Sequence, residues 1–373
     1  MGVTDADGTS ALQNTGHRFR LMTETLPQEM RQWVLARRPV GAATVEDFRL
    51  ETVRVPEIAE GEVLLKTLYL GVAPVMLRYM TNETSFERPM EIGDVMIGRG
   101  VGRVVASRNP AYRVGEIYQA KLGWREYAVI DDDPYFMPFR MNHTDLPLSH
   151  GISTLAMSGF TALIGMREIC AAGPGDRVLV SGAAGGVGSQ AGFVARALGA
   201  ENVVGIAGGP DKCRLLTKRL GYGAAIDYKN DDVPARLDEL FHDGIDVFFD
   251  NVGGELLDEV MGRIRRRARI AICGRISEYL LPVEQYHRHR NLHRIGLQDA
   301  KLEGFFVYDH LPHFEEYEAQ LAEWIRDGLI RPLEDILDGI DEVPAALISL
   351  YEGANAGVRM VRVDPDVEEN SHS

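Results

Sequence analysis

The stretch of this chain best suited to chemistry is one from which side chains have been removed. Val180 to Gln190 reads VSGAAGGVGSQ, with four glycines in the seven residues from Gly182 to Gly188. Glycine at the start of a helix costs stability, so the pattern calls for a partner that must come close to the main chain. The stretch lies between the apolar run DRVLVSG and the amphipathic run GSQAGFVARALG, which Gly199 ends. Set as Ala183-x-Gly185-x-x-Gly188 between a strand and a helix, it is the dinucleotide fingerprint with alanine in the first place. Gly185 lets a pyrophosphate approach the backbone and Gly188 lets helix and strand pack closely. The free amides of the helix start then face the phosphates. A tight turn with no ligand is the plainer alternative.

Which dinucleotide binds is decided further along. A site for NAD places a carboxylate at the end of the second strand to hold the ribose hydroxyls. Here that strand ends Ile206-Ala207-Gly208-Gly209, with Lys212 on the first turn of the next helix and Tyr228-Lys229 ending the third strand. A missing carboxylate with a cation nearby suits a 2′-phosphate, so NADP is the expected cofactor. A solvated surface lysine is the competing reading of Lys212.

These residues need a scaffold. The chain has 373 residues, 45% hydrophobic and 25% charged, which is ordinary globular composition and long enough for two domains. From Gln32 to about Ala128, short runs such as GEVLLKTLYLGVAP and VGEIYQAKLGWREYAVI are broken by Gly and Pro, the rhythm of a barrel-like β region. ISTLAMSGFTALIGMREI (Ile152–Ile169) has helical periodicity. Beyond it strands and helices alternate: NVVGIAG, DKCRLLTKRLG, AAIDYK, DVPARLDELF, IDVFFDN, ELLDEVMGRI, ARIAICG, LEGFFVY and the helix FEEYEAQLAEWIRDG. That alternation predicts parallel βαβ units and a doubly wound sheet. The late strand VRMVRV is expected to return to the N-terminal β region. The first 28 residues are polar and lack the apolar stretch of a signal peptide, so residues 1–29 are read as a disordered extension.

Bulk charge narrows the partners. The net charge of −15, from 40 basic and 55 acidic residues, argues against nucleic acid or an anionic membrane surface. No apolar run reaches the about 18 residues of a membrane span. The three cysteines, Cys170, Cys213 and Cys273, show no metal-ligand or disulfide spacing, which fits a cytoplasmic protein.

SGAAGGVG, GGPDK, IDYK, FDNVGG, ICGRISEY, LEGFFV and GANAG occur in this order, preceded by QWVLARRPVG, GRGVGRVVAS and GWREY. As an ordered set, from about residue 31 to 364, they resemble the zinc-independent medium-chain reductases that include the prostaglandin, alkenal double-bond and curcumin reductases. The resemblance implies a Rossmann doubly wound parallel sheet, residues 157–328, inserted in a GroES-like β-barrel domain made of 30–156 and 329–373. It implies an NADP-dependent oxidoreductase that saturates the double bond of an α,β-unsaturated ketone or aldehyde, commonly as a homodimer. Carried over position by position, Gly185, Gly186, Val187 and Gly188 hold the pyrophosphate, and Lys212 and Tyr228 the 2′-phosphate. Asn251, Cys273, Gly274, Ile276, Ser277, Tyr279, Phe305, Phe306, Val307 and Asn355 frame the nicotinamide end. Tyr279 is the candidate proton donor. A tyrosine that only packs against the cofactor is the alternative.

Several positions depart from the family pattern. Metal-dependent relatives carry Gly-His-Glu where this chain reads Gly98-Arg99-Gly100, so no metal is expected. The usual Asp-Pro-Tyr-Met-Arg is Ala73-Pro74-Val75-Met76-Leu77, which predicts a more apolar pocket. The usual lysine after the late Asn-x-Gly is Val358. HRHRNLH (His287–His293) is read as a mobile, positively charged lip, because its arginines would repel a metal cation. RIRRRAR (Arg263–Arg269) is read as cations at a helix C-terminus. Cys273 is read as a small half-buried residue without an activating base. Two other functions remain open at this level: an NADPH quinone reductase, and an NADPH-binding protein that does not turn over.

Overall fold

The computed structural model describes residues 26–81, 87–279 and 281–367. Most of the expected N-terminal extension, residues 1–25, lies outside the described residues. Its last residue does not: Glu29 opens the strand Glu29–Leu35, which pairs antiparallel with Phe48–Arg54.

Six parallel strands form the cofactor-type sheet: Arg177–Val180, Asn202–Ala207, Ala224–Asp227, Ile245–Asp250, Ile264–Ile272 and Lys301–Gly304. Numbered along the chain, they lie in the order 3-2-1-4-5-6. This is the doubly wound arrangement, in which helices cover both faces and the strands read as nearly unbroken apolar runs. Alternate residues of each strand serve the two faces. Val178, Val180, Val203, Val247, Phe249 and Ala271 join one buried cluster. Leu179, Val204, Ile206, Ile226, Phe248 and Ile270 join the other.

The second body is a seven-stranded sheet plus the antiparallel ribbon at the N-terminus. Its spine, Val63–Gly71, pairs with Arg99–Ser107 and with Tyr127–Ile130. The late strand Val358–Arg362 returns to it, antiparallel to Val63–Gly71 and parallel to Glu334–Asp338. The polypeptide therefore leaves the β body, builds the parallel sheet and comes back. Trp33 Nε1 donates to the Ile340 carbonyl at 2.9 Å, tying the N-terminal ribbon to that returning segment.

Two segments differ from the sequence reading. RIRRRAR is not a helix terminus: the helix Gly254–Met261 stops earlier, and all but the first arginine lie in the strand Ile264–Ile272. Its charges are met by acids from several elements, Arg263 by Asp238 and Glu259, Arg265 by Asp246, and Arg269 by Asp176. In ICGRISEY the strand ends at Ile272, and Ile276–Glu278 form a single tight 3₁₀ turn.

Candidate active site

The crevice follows from topology. The first and fourth strands, Arg177–Val180 and Ile245–Asp250, are neighbours in the sheet, yet their connections leave in opposite directions. The loops at their carboxyl ends therefore diverge, opening a cleft where ligands bind in such sheets. A buried latch joins the two loops. Ser181 Oγ donates to Asp250 Oδ1 at 2.8 Å, and the Asn251 amide donates to Ser181 Oγ at 2.8 Å. Asn251 Nδ2 donates to the Ser181 carbonyl at 2.7 Å. Asp250 is fully buried and also accepts from the Val252 and Gly253 amides; desolvation raises its pKa against those bonds. Asn251 is therefore spent on loop geometry, and Asp250 is the partner that sequence reasoning passed over.

The glycine loop has the form a diphosphate needs. The helix Gly186–Ala197 begins with Gly185 as N-cap, with no side-chain cap and no acid in its first turn. Its first amides have no carbonyl within the helix to donate to. A Cβ on Gly188 would lie 2.2 Å from the Gly182 carbonyl oxygen, so this position holds helix and loop together. A Cβ on Gly185 would meet only that same oxygen, at 3.2 Å, among the described residues; its other side is open. Gly185, Gly186 and Val187 are partly exposed while Gly188 is buried. The returning segment closes over this loop. Gly357 N donates to the Ala184 carbonyl at 2.8 Å, and buried Asn355 donates through Nδ2 to the Gly357 carbonyl at 2.9 Å.

At the adenosine side, the second strand ends at Ala207, and the Gly208-Gly209 turn that follows carries no acidic side chain of its own. Asp227, which ends the third strand, is buried against this turn, accepting from the amides of Gly209 at 2.7 Å and Lys229 at 3.1 Å. The Tyr228 ring packs on Gly208 and is 57% exposed, which leaves it at the rim. Lys212 is half-buried. Desolvation first, then Lys229 and Arg359, push its pKa down, while Asp335 opposes them. Asp335 is already the partner of Arg359, at 2.5 Å. Lys212 thus faces two cations and a carboxylate already committed to one of them. Lys229 and Arg359 extend the expected Lys212–Tyr228 pair.

The opposite side is built by the fifth and sixth strands. The amides of Cys273 and Gly274 donate to the Asp250 carbonyl at 2.8 and 3.0 Å. The Ile276 amide donates to Asn251, and the Ser277 amide and hydroxyl both donate to Val252. Burial pushes the Cys273 thiol up to about 12, the environment of an inert cysteine. Tyr279 lies over this turn: a Cβ on Gly274 would sit 3.2 Å from its hydroxyl. Burial raises the Tyr279 pKa, so its hydroxyl carries its proton at neutral pH. Phe305, Phe306 and Val307 leave the sixth strand half-buried, with Phe305 edge-on to Phe249 at 6.4 Å between ring centroids.

The β body supplies the facing wall. Tyr79 has its pKa raised by burial and by Tyr308, Glu87 and Tyr279, and Tyr351 by burial and by Tyr279, so the four tyrosines gather there. Tyr351 Oη donates to the Pro74 carbonyl at 2.7 Å. Leu77 and Met76 are buried in the same β-body cluster as Tyr79, with Ala73 and Val75 packed against it, and Arg78 lies near Tyr279 and Tyr351. HRHRNLH is fastened down. His287 Nε2 lies 3.2 Å from Asp258 Oδ2, and the Asn291 amide donates to Asp258 Oδ1 at 2.8 Å. Asp258, His287 and His289 bring ligand-type atoms within 4.8 Å of one another, a grouping the sequence reading set aside.

Comparison with known proteins agrees with this geometry. Residues 31–137 match the family described as the N-terminal domain of oxidoreductase, and residues 186–327 the one described as zinc-binding dehydrogenase. The chain is 35% identical over 345 residues to the NADPH-dependent curcumin reductase of Escherichia coli (strain K12), covering 91% of this chain and 98% of that protein. It is 36% identical over 334 residues to prostaglandin reductase 1 of Bos taurus, covering 89% and 98%. Among solved structures, CurA of Vibrio vulnificus in complex with NADPH superimposes with a TM-score of 0.83 at 35% identity, over 90% of this chain and 99% of that one. The chain belongs to the medium-chain dehydrogenase/reductase family, in the branch that holds the curcumin, alkenal and prostaglandin reductases.

Proposed function

We propose that this chain is an NADPH-dependent reductase of the carbon–carbon double bond of α,β-unsaturated ketones and aldehydes, working without a metal. The observation that carries the reading is the pairing of two ends in one crevice. A bare phosphate cradle with Lys212 and Lys229 lies at one end and a protonated Tyr279 at the other. When bound, NADPH supplies the hydride that adds to the β-carbon of the acceptor. The protein's own residues do the rest. Gly185 to Gly188 and the uncapped helix start hold the diphosphate. Lys212, Lys229 and the Tyr228 hydroxyl take the 2′-phosphate, where a carboxylate would repel it. Asn251, Cys273 to Ser277, Phe305 to Val307 and Asn355 set the depth at which the ring lies.

Addition at the β-carbon places negative charge on the carbonyl oxygen, and the α-carbon then needs a proton. Tyr279 is suited to donate to that oxygen, because burial holds its proton on at neutral pH. Tyr79, Tyr308 and Tyr351 surround the same space and limit access of water. The test is to incubate protein and NADPH with an alkenal, an enone and a benzoquinone. Oxidation with the enone and the saturated ketone as product support the reading. Oxidation with the quinone alone would replace it by a quinone reductase.

We also infer a homodimer in a reducing, cytoplasmic setting. Among the described residues Lys301–Gly304 is an edge of its sheet, with Leu302 37%, Leu297 71% and Leu292 55% exposed at or near it. The three cysteines are free, and no helix among the described residues is long and apolar enough to cross a membrane. Light scattering at the mass of a single chain would refute the dimer.

A further inference from the structure

The residue that the reductase reading leaves unused is Arg99. It opens the strand Arg99–Ser107 and sits opposite Lys121 on the neighbouring antiparallel strand, Ile117–Lys121, so their side chains share a face. Lys121 is buried and bonds through Nζ to the buried Glu87 carboxylate. It also lies 4.5 Å above the Tyr135 ring and 5.8 Å above the Tyr308 ring. These three charged groups are two cations and one carboxylate, and the carboxylate belongs to Lys121. Arg99 Nη2 donates to the Met137 carbonyl at 3.3 Å. Its Nη1 is fully shielded and has no hydrogen-bond partner among the described residues.

The position is the domain crevice. The Arg99 guanidinium lies 5.8 Å from the Phe139 ring, which stacks at 3.9 Å on Phe314, the first residue of the helix Phe314–Arg326 that follows the sixth parallel strand. Tyr308, which directly follows the Phe305–Val307 segment, has its pKa raised by burial and by Glu87, while Arg99 opposes them. Tyr79 links this corner to Tyr279. Desolvation pushes Arg99 down to about 10, which still leaves it charged at neutral pH.

A half-buried cation with one shielded, open donor is costly unless an anion meets it. A charge that develops only during the reaction does not offset that cost in the resting complex; a permanent carboxylate does. The planar guanidinium fork fits a carboxylate better than any neutral oxygen. We propose that Arg99, beside the Lys121–Glu87 pair, is an anion subsite of the substrate cleft, and that the acceptor is an unsaturated ketone or aldehyde bearing a carboxylate. This rests on the reductase reading for the reaction, though not for the binding.

The test compares 4-(3-oxobut-1-enyl)benzoate with its methyl ester. In the wild-type enzyme kcat/KM for the acid exceeds that for the ester by about tenfold or more, one charge-assisted contact. Arg99→Gln brings the ratio to about one, and Arg99→Lys keeps part of the preference because it keeps the charge. Where both are reduced, equal rates on acid and ester in the wild type overturn the proposal, as does an equal fall on both in Arg99→Gln. Binding is read separately by calorimetry, with the saturated acid 4-(3-oxobutyl)benzoate titrated into the protein with NADP⁺. Heat in the wild type, weakened about tenfold or more in Arg99→Gln, supports the subsite even if neither enone is reduced. That last result would sink the reductase reading alone. No heat in the wild type overturns the subsite. A simple strut between domains predicts a lower Tm for Arg99→Gln, whereas loss of a shielded unpaired charge does not. If Arg99→Gln fails to fold, the wild-type ratio and Arg99→Lys decide.

Discussion

Replacing Lys212 by alanine tests the cofactor end most sharply, because the structure predicts effects of opposite kind on binding and on stability. Without ligand, Lys212 is held charged against desolvation and against Lys229 and Arg359, with Asp335 already committed to Arg359. Such a residue does little for the fold, so the variant's apo Tm should stay level or rise. A 2′-phosphate reverses the balance, turning repelling cations into joint donors. A hydrogen bond to a charged group is worth about 1.5–3 kcal/mol net. At about 1.4 kcal/mol per tenfold, NADPH affinity should fall by about 10- to 150-fold. The loss sits toward the lower end, because Lys229 remains and neighbouring contacts are not additive. NADH lacks the phosphate and should change by less than about twofold, the scale of a weak surface charge effect. Fluorescence titration of both reduced cofactors into wild type and Lys212→Ala reads the two numbers directly. A parallel loss for NADH and NADPH, or an unchanged NADPH affinity, would refute the 2′-phosphate assignment.

Four further outcomes follow from the structure. Gly188→Ala places a methyl group 2.2 Å from the Gly182 carbonyl oxygen and should lower Tm by the cost of overpacking, about 1–3 kcal/mol or more. Gly185→Ala, whose methyl group meets that oxygen at 3.2 Å, should keep Tm near wild type yet weaken NADPH binding; the reverse ranking in thermal melts and titrations would be inconsistent with the cradle. Tyr279→Phe should lower kcat by about 100-fold with NADPH affinity nearly unchanged, whereas a loss confined to KM would mean that the ring only packs. Glu318, buried against Asn142, has its carboxyl raised by desolvation to about 7. The native state then binds more protons than the unfolded chain between the ordinary carboxyl range and about 7, so stability falls as pH rises through that window and is flat above it. The Tm difference between Glu318→Gln and wild type should therefore become more positive from pH 5 to pH 8, and a constant difference would contradict the assignment.

What the sequence disclosed was local, and what it hid was long-range. The glycine loop, the missing carboxylate after Ala207 and the nearby Lys212 are all readable within about 30 residues, the length of one βαβ unit. The Ser181–Asp250 latch joins residues 69 apart, and it depends on the first and fourth strands being neighbours, which periodicity does not encode. The tyrosine wall draws Tyr79 and Tyr351 to Tyr279 from the far ends of the chain, through the return of Val358–Arg362 to the β body. RIRRRAR looks like a helix end in sequence because its partners, Asp176, Asp246 and Asp299, come from separate elements. One signal was present and unused. The helix Val343–Glu352 has proline in its first turn and ends on Gly353 in the left-handed region, a start and stop legible from sequence alone.

Isotope transfer shows directly which carbon of the acceptor is reduced. An enone is to be incubated with the protein and NADPH carrying deuterium at the transferable C4 position, each stereoisomer in turn, and the product examined by NMR. A double-bond reductase gives a saturated ketone with deuterium on the former β-carbon from one isomer and none from the other. Deuterium on the carbonyl carbon of an allylic alcohol, or an enone left intact beside unspent NADPH, would contradict it.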